Sequence, residues 1–164
     1  MTAPIKRIAM TTAAAAAVVL SAAGCQYLND TQTHDFYQAA DGTNAFEKGV
    51  GVRNAVLVLD KSGKGTLFAT VSNDTANPGT ASLEGSVKGQ AIFSSTVQAP
   101  AQGSTKVGGS GNQQIIATNV AAKPGDIAQL TVTVDGQGST TISLPVVDQE
   151  MSYYKQATAS DGGK

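Results

Sequence analysis

Residues 123–138 contain the pattern that decides the fold, Lys-Pro-Gly-Asp-Ile-Ala-Gln-Leu-Thr-Val-Thr-Val-Asp-Gly-Gln-Gly. Pro124 presets φ at the second position of a β-turn and Gly125 accepts the third, so a strand must start directly after this turn. Apolar and polar residues then alternate strictly from Ala128 to Val134, which predicts a strand with one buried face. The glycines at 136 and 138 turn the chain back into a second alternating run at 141–147. The stretch therefore predicts an antiparallel hairpin on one side of an apolar core.

The same alternation recurs upstream. Val50, Val52, Val56 and Val58 fall at period two, and the second half of this run is apolar on both sides, which predicts a central strand. Residues 66–73 alternate as its return strand after a turn with two glycines. Weaker strand patterns occupy residues 81–88, 91–93 and 115–117. Within the last strand, Pro145 has no N–H for a ladder, so we predict that this part lies at a sheet edge.

About seven strands and no convincing helix result from this count. With 18 glycines and only 14% charged residues, the composition is typical of many short strands and tight turns. We predict an all-β fold, a single immunoglobulin- or cupredoxin-like β-sandwich. Its predicted bounds are residues 45–148, behind a flexible tether at 25–44 and ahead of a C-terminal tail at 149–164 in which two adjacent tyrosines are able to dock on the sandwich or on a partner.

The N-terminal segment predicts a lipoprotein signal. Lys6 and Arg7 precede an apolar run at 8–20, and the sequence Leu-Ser-Ala-Ala-Gly-Cys closes it at Cys25. The apolar run is shorter than the roughly 20 residues that span a bilayer as a helix. Residues 1–24 are therefore predicted to be cleaved and the Cys25 thiol to carry a diacylglyceride, although Ala22 stands where lipoprotein signals most often have Leu. The protein is expected on the extracytoplasmic face of the cell membrane, held there by its lipid anchor.

Charge and residue inventory exclude several classes of function. Without residues 1–24 the chain has 9 basic and 12 acidic side chains, a net charge of 9 − 12 = −3, and its basic residues are scattered singly, so no nucleic-acid partner is predicted. A catalytic triad would need His34, the only histidine, which lies in the predicted tether. One histidine and one acylated cysteine cannot form a zinc site. We predict no enzymatic activity, no metal site and no cofactor.

Two loops invite functional interpretations that stay open at this stage. The Gly-rich segment 98–113 is the least structured part of the domain by composition, and its residues 102–113 would form a mobile flap if the sandwich held a small ligand beneath Leu and Val side chains. Residues 73–77, Asn-Asp-Thr-Ala-Asn, contain oxygen ligands for calcium but few carboxylates. For both segments an ordinary loop is the simpler interpretation.

Several motifs together resemble a known group of proteins. These are the lipoprotein cysteine at Cys25, the run 41–45 (Asp-Gly-Thr-Asn-Ala) before 50–58 (Val-Gly-Val-Arg-Asn-Ala-Val-Leu-Val), the run 65–73 (Gly-Thr-Leu-Phe-Ala-Thr-Val-Ser-Asn) and the Lys-Pro-Gly-Asp turn before a Thr/Val strand. The combination resembles small actinobacterial lipoproteins of the LpqE type, over residues 41–148. That group is distantly similar to the periplasmic copper chaperones called PCuAC, which are cupredoxin-like sandwiches.

The resemblance implies two alternative functions. LpqE-type lipoproteins are similar to an accessory subunit of the actinobacterial cytochrome bcc-aa3 supercomplex, which implies a scaffolding role on an integral membrane complex. The PCuAC relationship implies instead a copper-chaperone-like or small-ligand-binding lipoprotein. PCuAC ligands are Met and His, and residues 45–148 contain no Met, His or Cys. Since Cu(I) prefers thioether, thiolate or imidazole donors, the sandwich alone is not expected to hold copper.

Overall fold

The computed structural model describes residues 41–136, 138–151 and 153–155, which belong to one compact unit. The predicted signal peptide, Cys25, His34 and the tether up to residue 40 lie outside the described residues. No helix within these ranges is long and apolar enough to cross a membrane. The described chain forms nine strands: β1 (Thr43–Glu47), β2 (Val50–Leu59), β3 (Gly65–Asn73), β4 (Gly79–Val87), β5 (Gln90–Ala99), β6 (Gly103–Val107), β7 (Ile116–Ala117), β8 (Ile127–Val134) and β9 (Gly138–Asp148).

The nine strands form one curled sheet in the order β5-β4-β8-β9-β2-β3-β6, with β1 paired to β2 and β7 paired to β3. β9 connects the two halves, because its first part pairs antiparallel with β8 and its end pairs parallel with β2. The halves enclose one apolar core that includes Leu57, Leu67, Leu83, Leu130 and Leu144, all fully buried. The predicted all-β sandwich is therefore confirmed, and the alternation quoted first is observed, with Ala128, Leu130, Val132 and Val134 buried.

One strand departs from the predicted side-chain pattern. β2 is central as predicted, between β9 and β3, but its pairing with β3 shifts register between Arg53 and Val56. Asn54 takes a positive φ of 51° at this bulge, which Asn tolerates better than most residues. The extra residue reverses the faces, so Leu57 joins Val50 and Val52 in the core. Val56 and Val58 lie on the outer face instead, and the prediction that all four valines share one face is wrong.

The predicted edge position of Pro145 is also wrong, since β9 lies between β8 and β2. Pro145 stands at the point where β9 changes partner. It is paired with Ile127, the first residue of β8, and the pairing with β2 begins at the next residue, Val146. A proline is tolerated there because β9 exchanges one neighbouring strand for the other at this point. Its missing N–H therefore removes little hydrogen bonding from either pairing.

The Gly-rich segment is more ordered than its composition predicts. β5 extends to Ala99, and Gly103–Val107 forms β6, which pairs antiparallel with β3. The side chains of Thr105 and Gln113 donate to the carbonyls of Gln98 and Thr96 on the neighbouring edge strand. The segment therefore covers a sheet edge, and the structure gives no support to a mobile flap at 102–113.

Candidate functional site

The outer face of β2 and β3 carries a second, smaller apolar cluster. Val56 and Val58, which the bulge turned outward, contact Phe68 and Val147, and Tyr154 from the C-terminal segment covers them. The Tyr154 ring lies 5.2 Å from that of Phe68 between centroids, at 59°. Tyr154 is only 7% exposed, whereas Tyr153 is 77% exposed. Of the two tyrosines expected to be able to dock, Tyr154 therefore docks on the sandwich and Tyr153 faces solvent.

A shallow groove of about 200 Å³ lies beside Tyr154. Phe68 and Tyr154 form its aromatic wall, Thr70 and Asn54 line its polar side, and Lys106 is its one cationic side chain. This lining differs from the Leu- and Val-lined pocket that we expected for a small-ligand carrier, because the Leu side chains and most of the Val side chains of the described residues fill the core. The groove offers aromatic contact and one ammonium group and contains no carboxylate, imidazole or thiol.

The Tyr154 hydroxyl is held in an environment that disfavours ionisation. Burial raises the pKa of Tyr154 above its ordinary value of 10.0, and the negative charge of Asp41 raises the pKa further. Asp41 directly precedes the residues that enter β1, and the Gly42 N–H donates to the Asn54 side-chain oxygen at 2.8 Å. The chain therefore enters the sandwich beside the point where its C-terminal segment docks.

The loop considered for calcium is organised around a buried asparagine instead. Asn73 is 1% exposed; its Nδ2 donates to the carbonyls of Asn77 (2.7 Å) and Ala99 (3.3 Å). Its Oδ1 accepts from the Thr75 N–H at 2.9 Å and from the Thr75 hydroxyl at 2.7 Å. All four hydrogen bonds are made within the protein, and two of them are accepted by the Asn73 side-chain oxygen. The loop therefore has a structural role.

Three aspartates that lie in or beside turns accept hydrogen bonds from other residues of the fold. The Asp60 carboxylate accepts hydrogen bonds from Ser62 and Lys64. The Asp126 carboxylate accepts one from the Lys123 N–H, and the Asp135 carboxylate accepts one from the Thr80 N–H. The hydrogen bond from the Ser62 hydroxyl is the main cause that lowers the pKa of Asp60.

Among the described residues no three His, Cys, Asp or Glu side chains come together as a metal site. Met151, 43% exposed, is the only thioether in the described ranges.

The opposite half of the sandwich has an outer face that the sequence analysis did not single out. The pairings of β5, β4, β8 and β9 align their outward residues in three rows across the sheet. The rows are Thr96-Ser82-Thr133-Ser139, Ser94-Glu84-Thr131-Thr141 and Ala91-Ser86-Gln129-Ser143. Nine of these twelve residues are Ser or Thr. The alternation within each strand already indicates that these polar residues face outward. Only the register between the strands shows that they form one surface.

The fold is similar to that of PCuAC domains of known structure. The copper-bound PCuAC domain from PmoF2 is similar with a TM-score of 0.52 and 13% identity, over 65% of this chain and 98% of that domain. The apo PCuAC domain from PmoF1 is similar with a TM-score of 0.53 and 13% identity, over 65% and 99%. No protein-family model and no curated protein sequence matches the chain. The likeness to the PCuAC fold is confirmed, and the LpqE-type resemblance stays a prediction.

Proposed function

We propose that this protein is a non-enzymatic binding protein on the extracytoplasmic face of the membrane, built on a copper-chaperone-like sandwich. The similarity of its fold to PCuAC domains carries the proposal. This similarity favours a copper-chaperone-like role over a scaffolding role, for which the comparisons give no support.

Copper binding, in this proposal, depends on donors that lie outside residues 45–148. Residues 45–148 contain no Met, His or Cys, and Cu(I) requires soft donors for tight binding. Met151 lies shortly after the end of β9 at Asp148 and is exposed. His34, in the predicted tether, is the only imidazole of the chain. Among the described residues, Met151 is then the one soft donor that a copper site would use, beside a sandwich that contributes no soft ligand of its own.

A Cu(I) titration against a chromophoric competitor tests this assignment. The protein is the chain from residue 25 with Cys25→Ser, which removes the thiol as a competing donor. We expect stoichiometric binding that is weakened in the Met151→Leu variant and kept in a Tyr153→Leu control. Unchanged binding by the Met151→Leu variant would contradict the donor assignment. No binding by the parent protein would remove the copper role.

A second candidate is an accessory subunit of a membrane complex, favoured by the predicted lipid anchor at Cys25 and by the lack of soft donors in the sandwich. Such a protein would use its surface to contact the extracytoplasmic part of an integral membrane partner. Affinity purification after gentle detergent extraction should then recover that complex, with respiratory subunits as the first candidates. Recovery of the protein alone, under conditions that keep known membrane complexes intact, would count against this role.

A further inference from the structure

The three rows of outward residues on β5, β4, β8 and β9 form a surface that we call the hydroxyl face. Neighbouring strands lie about 4.8 Å apart and alternate residues along a strand about 7 Å apart, which sets the spacing of the side chains in the first two rows. A register shift between Gly85 and Ser86 breaks this spacing on β5 before the third row. Ser82, Ser94, Thr96, Ser139 and Thr141 are exposed. The first two rows span all four strands, and their inward neighbours, such as Leu83 and Leu130, are fully buried.

The hydroxyl face is almost without charge. Glu84 is its one ionisable side chain, and it has no Lys, Arg or aromatic residue. The outer face of the other half differs, since it carries Arg53, Lys106 and Tyr154. Anionic polymers and lipid headgroups need clustered cations. Protein interfaces are enriched in aromatic residues, Met and Arg at their centre. The hydroxyl face has neither the clustered cations that anionic partners need nor the residues that are enriched at protein interfaces.

Some of these hydroxyls pair with each other, and others make no hydrogen bond among the residues that the structure describes. Thr131 and Thr141 bond to each other at 3.0 Å, and Thr133 donates to Ser139 at 3.4 Å. The hydroxyls of Ser82, Ser94 and Thr96 make no hydrogen bond within the described part of the chain. Each hydroxyl provides one donor and two acceptor lone pairs. The surface therefore presents neutral groups that donate and accept alike, in a fixed array.

We propose that the hydroxyl face binds an uncharged, hydroxyl-rich polysaccharide of the cell envelope. Sugar hydroxyls donate and accept in the same way, and a neutral chain meets no opposing charge at the face. Because single hydroxyl contacts compete with water and contribute little, binding depends on many contacts along one chain. The choice of an envelope polymer rests on the proposed extracytoplasmic location, whereas the chemistry of the face does not depend on it.

Retention on insoluble polysaccharides tests the proposal. The Cys25→Ser protein is applied to amorphous cellulose and to insoluble amylose as neutral probes, with cross-linked alginate as the anionic comparison. We expect saturable binding to a neutral probe that persists at high salt and is at least tenfold tighter than binding to alginate. Ser82→Arg/Thr133→Arg, which puts bulk and charge in the middle of the face, should weaken retention at least tenfold. Ser104→Arg on the exposed edge strand β6 is the matched control and should bind like the parent protein.

Each outcome decides the proposal. No retention on either neutral probe, equal retention on alginate, or equal retention of the double-Arg variant would overturn it. Thermal unfolding of both Arg variants checks that the sandwich is intact, which we expect because these positions are exposed or half-buried on the outer face. The copper titration and the detergent purification do not involve this surface, so a failure here is distinguishable from a failure of the proposed function.

Discussion

Asn73→Asp replaces the buried amide by a carboxyl group of nearly the same shape. The two bonds accepted from Thr75 are kept, whereas the two donated to the Asn77 and Ala99 carbonyls are lost. The Ala99 carbonyl is buried, so the loss of its donor costs about 1–3 kcal/mol, and a charge at this 1% exposed position adds to the loss. The Asn77 carbonyl belongs to an exposed residue and also lies 2.7 Å from the Thr75 hydroxyl, so its loss adds less. We expect the free energy of unfolding to fall by about 3–5 kcal/mol at pH 7, a large part of the usual 5–15 kcal/mol.

The pH dependence of the unfolding free energy of this variant shows whether the lost stability is due to the lost hydrogen bonds or to altered packing. Burial raises the pKa of the introduced carboxyl in the folded state, and its protonated form can donate again. The stability that protonation restores is present in full below the unfolded pKa of about 3.9 and is lost as pH rises through the higher folded pKa. The deficit relative to the parent protein should therefore shrink between pH 7 and pH 4.5.

Urea unfolding at both pH values measures the effect, with Asn77→Asp as the control. Asn77 is exposed, and only its backbone carbonyl takes part in the Asn73 network. The control should lie within about 0.5 kcal/mol of the parent protein, as exposed substitutions usually do. An Asn73→Asp deficit below about 1 kcal/mol at pH 7, or a deficit unchanged at pH 4.5, would refute the reasoning.

Three further predictions follow from single contacts. Gly85→Ala places a Cβ on the ring of Phe93 and should cost about 1–3 kcal/mol in urea unfolding, with partial recovery in Gly85→Ala/Phe93→Leu; a neutral single variant would contradict the contact. In an absorbance titration one tyrosine should ionise later than the rest, since the pKa of Tyr154 is raised, and its stabilisation should be lost as pH rises through that value; Tyr154→Phe should abolish this late component and Tyr153→Phe should not. Intact-mass spectrometry should find a diacylglyceride on Cys25 that Cys25→Ser lacks, and an unmodified Cys25 thiol in the membrane fraction would contradict the anchor.

The outer apolar cluster illustrates why register limits what a sequence predicts. Val56 and Val58 are apolar in either arrangement, so their alternation alone cannot tell which face they occupy. One bulge residue at Asn54 reverses every side chain after it, because the period of a strand is two. The site around Tyr154 exists only because of that reversal, and a pattern that assumes an unbroken strand could not predict it.

The hydroxyl face depends on tertiary structure in the same way. Each strand alone shows only that its polar residues face outward, which the alternation at 128–134 already predicted. That β4 lies between β5 and β8, and that Ser82 stands beside Thr133, depends on pairings between residues up to about fifty positions apart. Strictly local patterns contain no information about such neighbours.

By itself, the sequence determined the all-β class, the strands around 50–59, 66–73 and 128–147, the turns between them, and the lack of soft donors in the domain, because these follow from local periodicity, turn chemistry and residue inventory. Tertiary structure alone decided the strand order, the partner change of β9 at Pro145, the conversion of a Gly-rich stretch into β6, and the two outer faces. The physical reason is that backbone hydrogen bonding between distant strands, and not local propensity, selects which residues become neighbours.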